Sequence, residues 1–281
     1  KINFGRPWKF SETRLKYLTA APSKSVPVQK RIAYFLRFFE HTDPLISRDV
    51  FNEFAGFSFK ELIKSAKQLP VQQLRKLVFA KNANVVRLSM YARLLGLCGN
   101  ANDAMQLERI IRDVPQDEFR LGIDGVISGY LWLTGEKGLK VIDECKILKR
   151  DVPFSERVSA ELAIVFLWHH SGGRFKRARL QKSLRLLLNQ PEIFAHVVND
   201  LARMKDWSAQ DRVMGLYGTK PYDAPYDKRA IVRYLIAGTK DRPKTKNAKL
   251  PSHVIKAEKY LSILEKKDPK TVSEAKRNSF E

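Results

Sequence analysis

Five glycines recur along the chain, and each follows a stretch with the hydrophobic period of a helix. They are Gly56, Gly96, Gly135, Gly172 and Gly218, and subtraction of their positions gives intervals of 40, 39, 37 and 46 residues. Glycine readily takes the left-handed conformation in which many helices end. A fixed period that closes each time with an amphipathic helix indicates one repeated helical unit, stacked on its neighbours.

The apolar spacing and the end signals predict the individual helices. Asp43 before Pro44 is typical of a helix N-terminus, and Ser58 with Glu61 matches a capping box. No strand pattern accompanies them. Predicted helices cover residues 29–40, 43–56, 58–68, 84–96, 119–133, 157–168, 174–188, 191–201, 210–217, 227–237 and 254–264, with further helices opening at Pro70 and after Asp268-Pro269.

Helix pairs repeating about every 40 residues are typical of HEAT and armadillo proteins. We therefore predict an all-α, HEAT/armadillo-like solenoid of about five to six repeats. Its parts are an N-terminal extension or capping segment (1–28), the repeat domain (29–238), a polar linker (239–251) and a C-terminal helical cap (252–281). The side chains predicted to be buried between helices are Phe35, Phe39, Phe54, Leu94, Trp132, Phe166, Leu184 and Leu235.

The chain is strongly basic, with 52 Lys and Arg against 30 Asp and Glu and a net charge of +22. Such an excess attracts polyanions, so an acidic protein, a glycan, a nucleic acid or an anionic lipid surface is an expected partner. The alternative is a generally basic protein without a specific anion site. The longest apolar run, 162–168, is far shorter than a bilayer requires, so we predict no transmembrane segment.

The densest group of cations lies on the predicted helix 174–188. A stripe of leucines at 180, 184, 187 and 188 is expected to hold one side of this helix to the core, which leaves the cations to face solvent. With no carboxylate before Glu192, this helix is the predicted polyanion-binding surface, and a merely solvated face is the alternative. The candidate residues are Arg174, Lys176, Arg177, Arg179, Lys182 and Arg185.

Other polar groups carry weaker signals. Asp206-Trp207 invites comparison with HEAT-like DNA glycosylases, but Asp206 serves equally well near a helix start. Adjacent His169 and His170 point in different directions on a helix, so we expect no metal site. Asp124, between two glycines, is expected to make an interhelical contact. The chain has no nucleophile elbow, no H-E-x-x-H and no P-loop, so we predict no catalytic residue, no cofactor and no enzyme activity.

Two cysteines, Cys98 and Cys145, are too few for a disulfide framework. We expect both to be buried small apolar residues, and a single bridge between repeats is the alternative for an oxidising compartment. The sequence begins at Lys1 rather than at methionine, which favours a processed chain.

Four segments together resemble a family of uncharacterised, HEAT-like bacterial proteins, many of them exported. They are 43–55, 91–99, 122–125 and 200–207, and the resemblance extends over about 32–268. It implies the solenoid fold and an extracytoplasmic location in the periplasm or envelope, with the cytoplasm as the alternative. The expected function is a non-catalytic scaffold that presents a basic surface to a macromolecule. The alternatives are a nucleic-acid-binding protein, of DNA-glycosylase type, and a structural protein of the cell envelope.

Overall fold

The structure, a computed structural model, describes residues 11–114, 119–245 and 249–277. This part of the chain is helical and contains no β-strand. The helices are α1 (Glu12–Ala20), α2 (Val28–Leu36), α3 (Pro44–Gly56), α4 (Phe59–Lys64), α5 (Val71–Phe79), α6 (Val85–Cys98), α7 (Ala101–Arg112), α8 (Ile123–Thr134), α9 (Gly138–Ile142), α10 (Phe154–His170), α11 (Arg177–Leu187), α12 (Phe194–Arg203), α13 (Gln210–Gly215), α14 (Pro225–Lys240), α15 (Ser252–Lys267) and α16 (Pro269–Arg277). The all-α prediction is confirmed.

The predicted helix starts follow from side chains that accept hydrogen bonds from free backbone amides. Asp43 caps α3 by accepting from the amide of Leu45 at 3.0 Å. Ser58 and Glu61 form the predicted capping box at the start of α4. Asp268 accepts from the amide of Thr271 at 3.2 Å in the first turn of α16. Local chemistry therefore fixes where these helices begin.

The five periodic glycines have two different roles. Gly135, Gly172 and Gly218 have positive φ angles of 66°, 59° and 71°, as predicted for residues that end helices. Gly56 is the last residue of α3, as expected of a glycine that closes a helix, whereas Gly96 lies inside α6. Neither has a positive φ, so the prediction that they take the left-handed conformation was wrong. At Gly96 the physical reason is contact, since a Cβ there would lie 2.7 Å from the Cα of Gly129.

Small residues bring α6 and α8 into close contact. A Cβ on Gly125 would lie 2.2 Å from the Cα of Ser89, and one on Gly129 would lie 2.2 Å from a backbone oxygen of α6. Asp124 accepts hydrogen bonds across this contact from Ser89 Oγ at 2.9 Å and Arg93 Nη2 at 2.6 Å. The predicted interhelical role of Asp124 is confirmed.

Neighbouring helices along the chain pack on one another, and several also pack on the helix two positions further on. Thus α6 contacts α5 and α8, α8 contacts α7 and α10, and α11 contacts α10 and α12. In the C-terminal part α14 contacts α12, α15 and α16. The core therefore runs between successive helices as one connected cluster.

Most of the predicted core residues are buried. Phe35, Phe39, Phe54, Leu94, Leu184 and Leu235 are each at most 6% exposed. The prediction was wrong for Trp132 and Phe166, which are only half-buried. Both rings contact the ring of Phe59, at centroid distances of 5.1 Å and 4.8 Å, beside an open cleft.

Arginine–carboxylate pairs join helices that are far apart in sequence. The carboxylates of Asp103, Glu156 and Asp206 are at most 4% exposed in these pairs. A buried carboxylate requires such a partner, because desolvation is costly for an uncompensated charge. The pairs between separate segments are Arg75–Asp103, Arg93–Asp124, Arg120–Glu156, Arg157–Glu192, Arg179–Asp143 and Arg185–Asp206. Part of the arginine content therefore stabilises the fold by compensating these carboxylates.

The C-terminal helices pack on α14, which extends through Gly238 to Lys240. Tyr217 Oη donates to Asp268 at 2.9 Å, and Arg229 pairs with Glu274 at 3.1 Å. In the predicted linker, 239–240 belong to α14, while residues 246–248 lie outside the described residues, as do 1–10 of the predicted N-terminal extension and 278–281 of the predicted cap.

Both cysteines are free and half-buried. Burial raises the pKa of the Cys98 thiol to about 11, so this sulfur stays protonated at neutral pH. Within the described ranges no helix is long and apolar enough to span a bilayer.

Candidate anion-binding surface and the adjoining cleft

The predicted basic helix begins three residues later than expected. Helix α11 starts at Arg177, so Arg174 and Lys176 lie in the turn that follows α10. The predicted leucine stripe is confirmed, since Leu180, Leu184, Leu187 and Leu188 are all buried. The stripe directs the opposite side of the segment to solvent. We call the four exposed cations the basic patch: Arg174, Lys176, Arg177 and Lys182.

The other two predicted cations are engaged in ion pairs. Arg179 donates to Asp143 at 2.7 Å and to Ser183 Oγ at 2.6 Å. Arg185 pairs with Asp206, which is 4% exposed. The expectation that all six cations lack carboxylate partners was wrong for these two, because the acceptors come from segments distant in sequence.

Tryptophan rings hold the two patch arginines. The guanidinium carbon of Arg174 lies 5.5 Å from the ring centre of Trp132, and that of Arg177 lies 4.7 Å from Trp168. Among the described residues, no carboxylate pairs with either arginine. Cation–π contact restricts a guanidinium without using its N–H donors. Both side chains are therefore positioned and retain their donors for an anion.

The turn before α11 does not offer all its amides to a ligand. Gly172 and Gly173 have positive φ angles of 59° and 89°, which fits a tight turn between helices. Glu136 Oε1 accepts from the backbone amide of Lys176 at 2.6 Å, just before the first turn of α11. A carboxylate of the chain itself thus occupies this amide. This amide is therefore not available to an anion.

The weak alternative site at Asp206 and Trp207 is built into the fold. Asp206 accepts from Arg185 and, at 2.6 Å, from Ser208 Oγ. Trp207 Nε1 donates to Asp241 at 2.7 Å, and its ring stacks on His253 at a centroid distance of 5.7 Å. Both side chains are occupied by structural contacts.

A pair of carboxyl groups lies between α10 and α12. Burial, followed by the nearby Asp200, raises the pKa of Glu161 to about 9. At neutral pH Glu161 is therefore protonated, and only 3% of it is exposed. A buried neutral carboxyl beside Asp200 is not an accessible general base.

Adjacent His169 and His170 lie at the exposed C-terminal end of α10. Partial burial, then His169 and Arg93, lowers the pKa of His170, so its ring is neutral at pH 7. In the described part of the chain, no group of three His, Cys, Asp or Glu side chains converges as a metal site would require.

A cleft that sequence reasoning missed lies among α3, α4, α6 and α10. It is open to solvent and has a volume of about 400 Å³, and its lining includes the rings of Phe51, Phe54, Phe57, Phe59 and Phe166. We call it the aromatic cleft. Its walls come from helices more than 100 residues apart, since Phe59 meets Phe166. The sequence shows each phenylalanine only as one member of a helix stripe.

Arg93 is the cation of the aromatic cleft. Its guanidinium lies 4.1 Å from the ring centre of Phe166, and Asp124 compensates its charge. Its Nε–H is buried and has no hydrogen-bond partner among the described residues. Desolvation lowers the pKa of Arg93. Ser89 and His170 complete the polar lining.

The aromatic cleft and the basic patch are neighbours. Phe59 lines the cleft and lies 5.1 Å from Trp132, the ring beneath Arg174. Phe166 lies 4.7 Å from His170 on the same side. The cleft and the patch therefore lie on opposite sides of the ring of Phe59, which is 8% exposed.

No protein-family model, curated protein or solved structure matches the chain. The geometry of this surface is consequently the basis for a functional proposal.

Proposed function

We propose that the chain is a non-catalytic, HEAT-like α-solenoid whose basic patch binds a polyanionic macromolecule. The contacts of α6 with α8, of α8 with α10 and of α12 with α14 support a stack of repeated units. Stacked helix pairs create extended surfaces that suit a long partner. The family resemblance favours the same fold and an extracytoplasmic location.

The observation that carries this proposal is the placement of Arg174 and Arg177 over tryptophan rings. Ordering a long side chain on binding costs about 0.5–1.5 kcal/mol, and a pre-positioned arginine avoids part of that cost. Its planar guanidinium then offers paired donors to phosphate, sulfate or carboxylate oxygens. The net charge of +22 favours encounter with a polyanion.

The DNA-glycosylase alternative receives no support at its candidate residues. Asp206 is buried against Arg185, and Trp207 is hydrogen-bonded to Asp241 and stacked on His253. A carboxylate acting on a nucleotide must reach the reacting atoms. Asp206 is enclosed instead. We therefore propose binding without catalysis.

The test is affinity for a DNA duplex and for heparin, measured between about 50 and 300 mM salt. The patch variant replaces all four patch cations with glutamine. The control makes the same charge change on α15 and α16, where the chosen lysines are exposed. The control positions are Lys259, Lys266, Lys267 and Lys270.

Each phosphate contact contributes about 0.9 to the slope of log affinity against log salt for duplex DNA. We expect the patch variant to lower the magnitude of that slope by about three to four, and the control to leave it nearly unchanged. Equal losses in both variants would show that the charge acts generally and would overturn the proposal.

A further inference from the structure

We infer that the basic patch and the aromatic cleft together bind single-stranded nucleic acid, with phosphates on the patch and a base in the cleft. This inference rests on the proposed polyanion binding and assigns its partner. Phe59, which lines the cleft, lies 5.1 Å from Trp132, the ring beneath Arg174, so the two halves of the site are adjacent. A strand that contacts Arg174 therefore has the cleft within its reach.

The lining of the cleft suits a planar heterocycle. Its volume of about 400 Å³ lies within the range of small-molecule pockets. Phe51 and Phe166 are partly exposed, with Arg87 5.0 Å from the centre of the first ring and Arg93 4.1 Å from the centre of the second. A base would stack on the uncovered side of a ring or on a guanidinium plane, and such stacking tolerates any sequence. Ser89, Arg93 and His170 add polar groups that can meet the edge of a base.

The distribution of charge on the protein indicates which part of the ligand lies inside the cleft and which part lies outside it. Inside the cleft, Asp124 balances Arg93, and His170 is neutral at pH 7 because its pKa is lowered. Outside the cleft lie exposed cations, with Arg174 over Trp132 and Lys60 next to Phe59 in the chain. An uncharged group fits inside and anions fit outside. A nucleotide strand combines an uncharged planar base with phosphodiesters.

The same features disfavour the other polyanions. Heparin has no planar group for the cleft. In a duplex the bases are already paired and stacked, so they enter a cleft only after extrusion, which costs energy. An acidic peptide supplies aromatic side chains, but phenylalanine has no polar edge to meet Ser89, Arg93 and His170. Single-stranded nucleic acid satisfies the rings, the polar lining and the cations together.

A matched pair of substitutions tests this. Val86 lines the cleft and is 68% exposed, so Val86→Trp blocks the cleft without replacing a core residue. Val85 is 51% exposed and does not line the cleft, so Val85→Trp is the control. The probes are a mixed-sequence single-stranded oligonucleotide and an abasic strand with the same number of phosphates, at one fixed salt concentration.

We expect wild type to bind the oligonucleotide about tenfold more tightly than the abasic strand. Val86→Trp should remove that difference, leaving abasic binding unchanged, and Val85→Trp should preserve it. Circular dichroism and thermal unfolding of both variants verify that each is folded.

The other outcomes separate this inference from the proposed function. If wild type binds both strands equally, or if Val86→Trp leaves the tenfold difference intact, the cleft does not take a base and only this inference fails. If neither strand binds and heparin does not bind, the proposed function fails as well. Tighter binding of an acidic tyrosine-containing peptide than of the oligonucleotide, abolished by Val86→Trp, would assign the cleft to a protein partner and overturn the inference.

Discussion

Two pairs of arginines in the same short segment differ in what holds them. Arg174 and Arg177, at the start of the segment, lie over tryptophan rings and keep their donors. Arg179 and Arg185, further along α11, donate to carboxylates of other segments. All four look equivalent in the sequence. The difference shows that the local charge count does not give the number of cations available to a partner.

The two arrangements, an arginine paired with a carboxylate and an arginine over a tryptophan ring, have different energetic consequences. A carboxylate that is only 4% exposed, such as Asp206, is stable in its charged form because Arg185 compensates it. A tryptophan ring has no charge that requires compensation. Removal of an arginine paired with a buried carboxylate therefore destabilises the fold. Removal of an arginine over a tryptophan ring mainly changes the proposed binding surface.

The largest expected effect is on stability. We predict that Arg185→Ala lowers the free energy of unfolding by about 2–4 kcal/mol, since it leaves Asp206 buried without its cation. Arg177→Ala, the matched variant over Trp168, should cost less than about 1 kcal/mol. Urea unfolding of both variants measures the difference.

A double-mutant cycle identifies the cause. Asp206→Ala combined with Arg185→Ala should cost clearly less than the sum of the two single substitutions, because the uncompensated charge is gone. Additive losses, or equal losses for Arg185→Ala and Arg177→Ala, would contradict the distinction between the two arrangements.

The ion pair of Arg185 also determines which residues are suitable for a binding test. A variant that neutralises Arg185 together with Arg174 and Arg177 would combine lost contacts with lost stability. The sequence favours that choice because it shows no carboxylate near α11 before Glu192. The structure favours Lys176 and Lys182, which are exposed, in its place.

How far the sequence predicts the fold depends on the range of the interactions. The capping box at Ser58 and the leucine stripe of α11 are local and were predicted correctly. Gly96 was misassigned because its neighbour, Gly129, lies on another helix. The stacked solenoid of repeats stays a prediction.

The candidate site follows the same rule. The basic residues were visible as a local group, whereas the rings of Trp132 and Trp168 belong to α8 and α10. The aromatic cleft was missed because its walls meet only when α3, α4, α6 and α10 pack together. No spacing in the sequence brings Phe59 beside Phe166.

A smaller effect concerns the stability of the protein at acidic pH. The Arg75 guanidinium holds the pKa of Asp103 below its usual value, and the Asp103 side chain is fully buried. This pairing stabilises the protein above the unfolded pKa of about 3.9, and the stabilisation is lost as pH falls through the lower folded value. We predict that Arg75→Gln lowers the free energy of unfolding at pH 7 and that this loss relative to wild type becomes smaller below about pH 4.

The ring-held arginines provide the comparison for this pH dependence. Indole does not titrate, so the effect of Arg177→Gln on the free energy of unfolding should be the same at pH 7 and at pH 3.5 to within about 0.3 kcal/mol. Chemical unfolding of wild type and both variants at a series of pH values measures this. A deficit for Arg75→Gln that persists unchanged in acid would show that its packing, and not its charge, matters.

The smallest expected effect isolates the role of the planar guanidinium in binding. Arg177→Lys keeps the charge over Trp168 but removes the planar guanidinium and its paired donors. We expect affinity for heparin or DNA to fall about two- to fivefold at constant salt, with the salt slope unchanged because no cation is lost. Lys182→Arg, at the exposed patch position that has no ring contact among the described residues, is the reverse control and should change affinity by less than about twofold. If Arg177→Lys binds as tightly as wild type, the paired donors of Arg177 do not contact the anion, and the patch acts through charge alone.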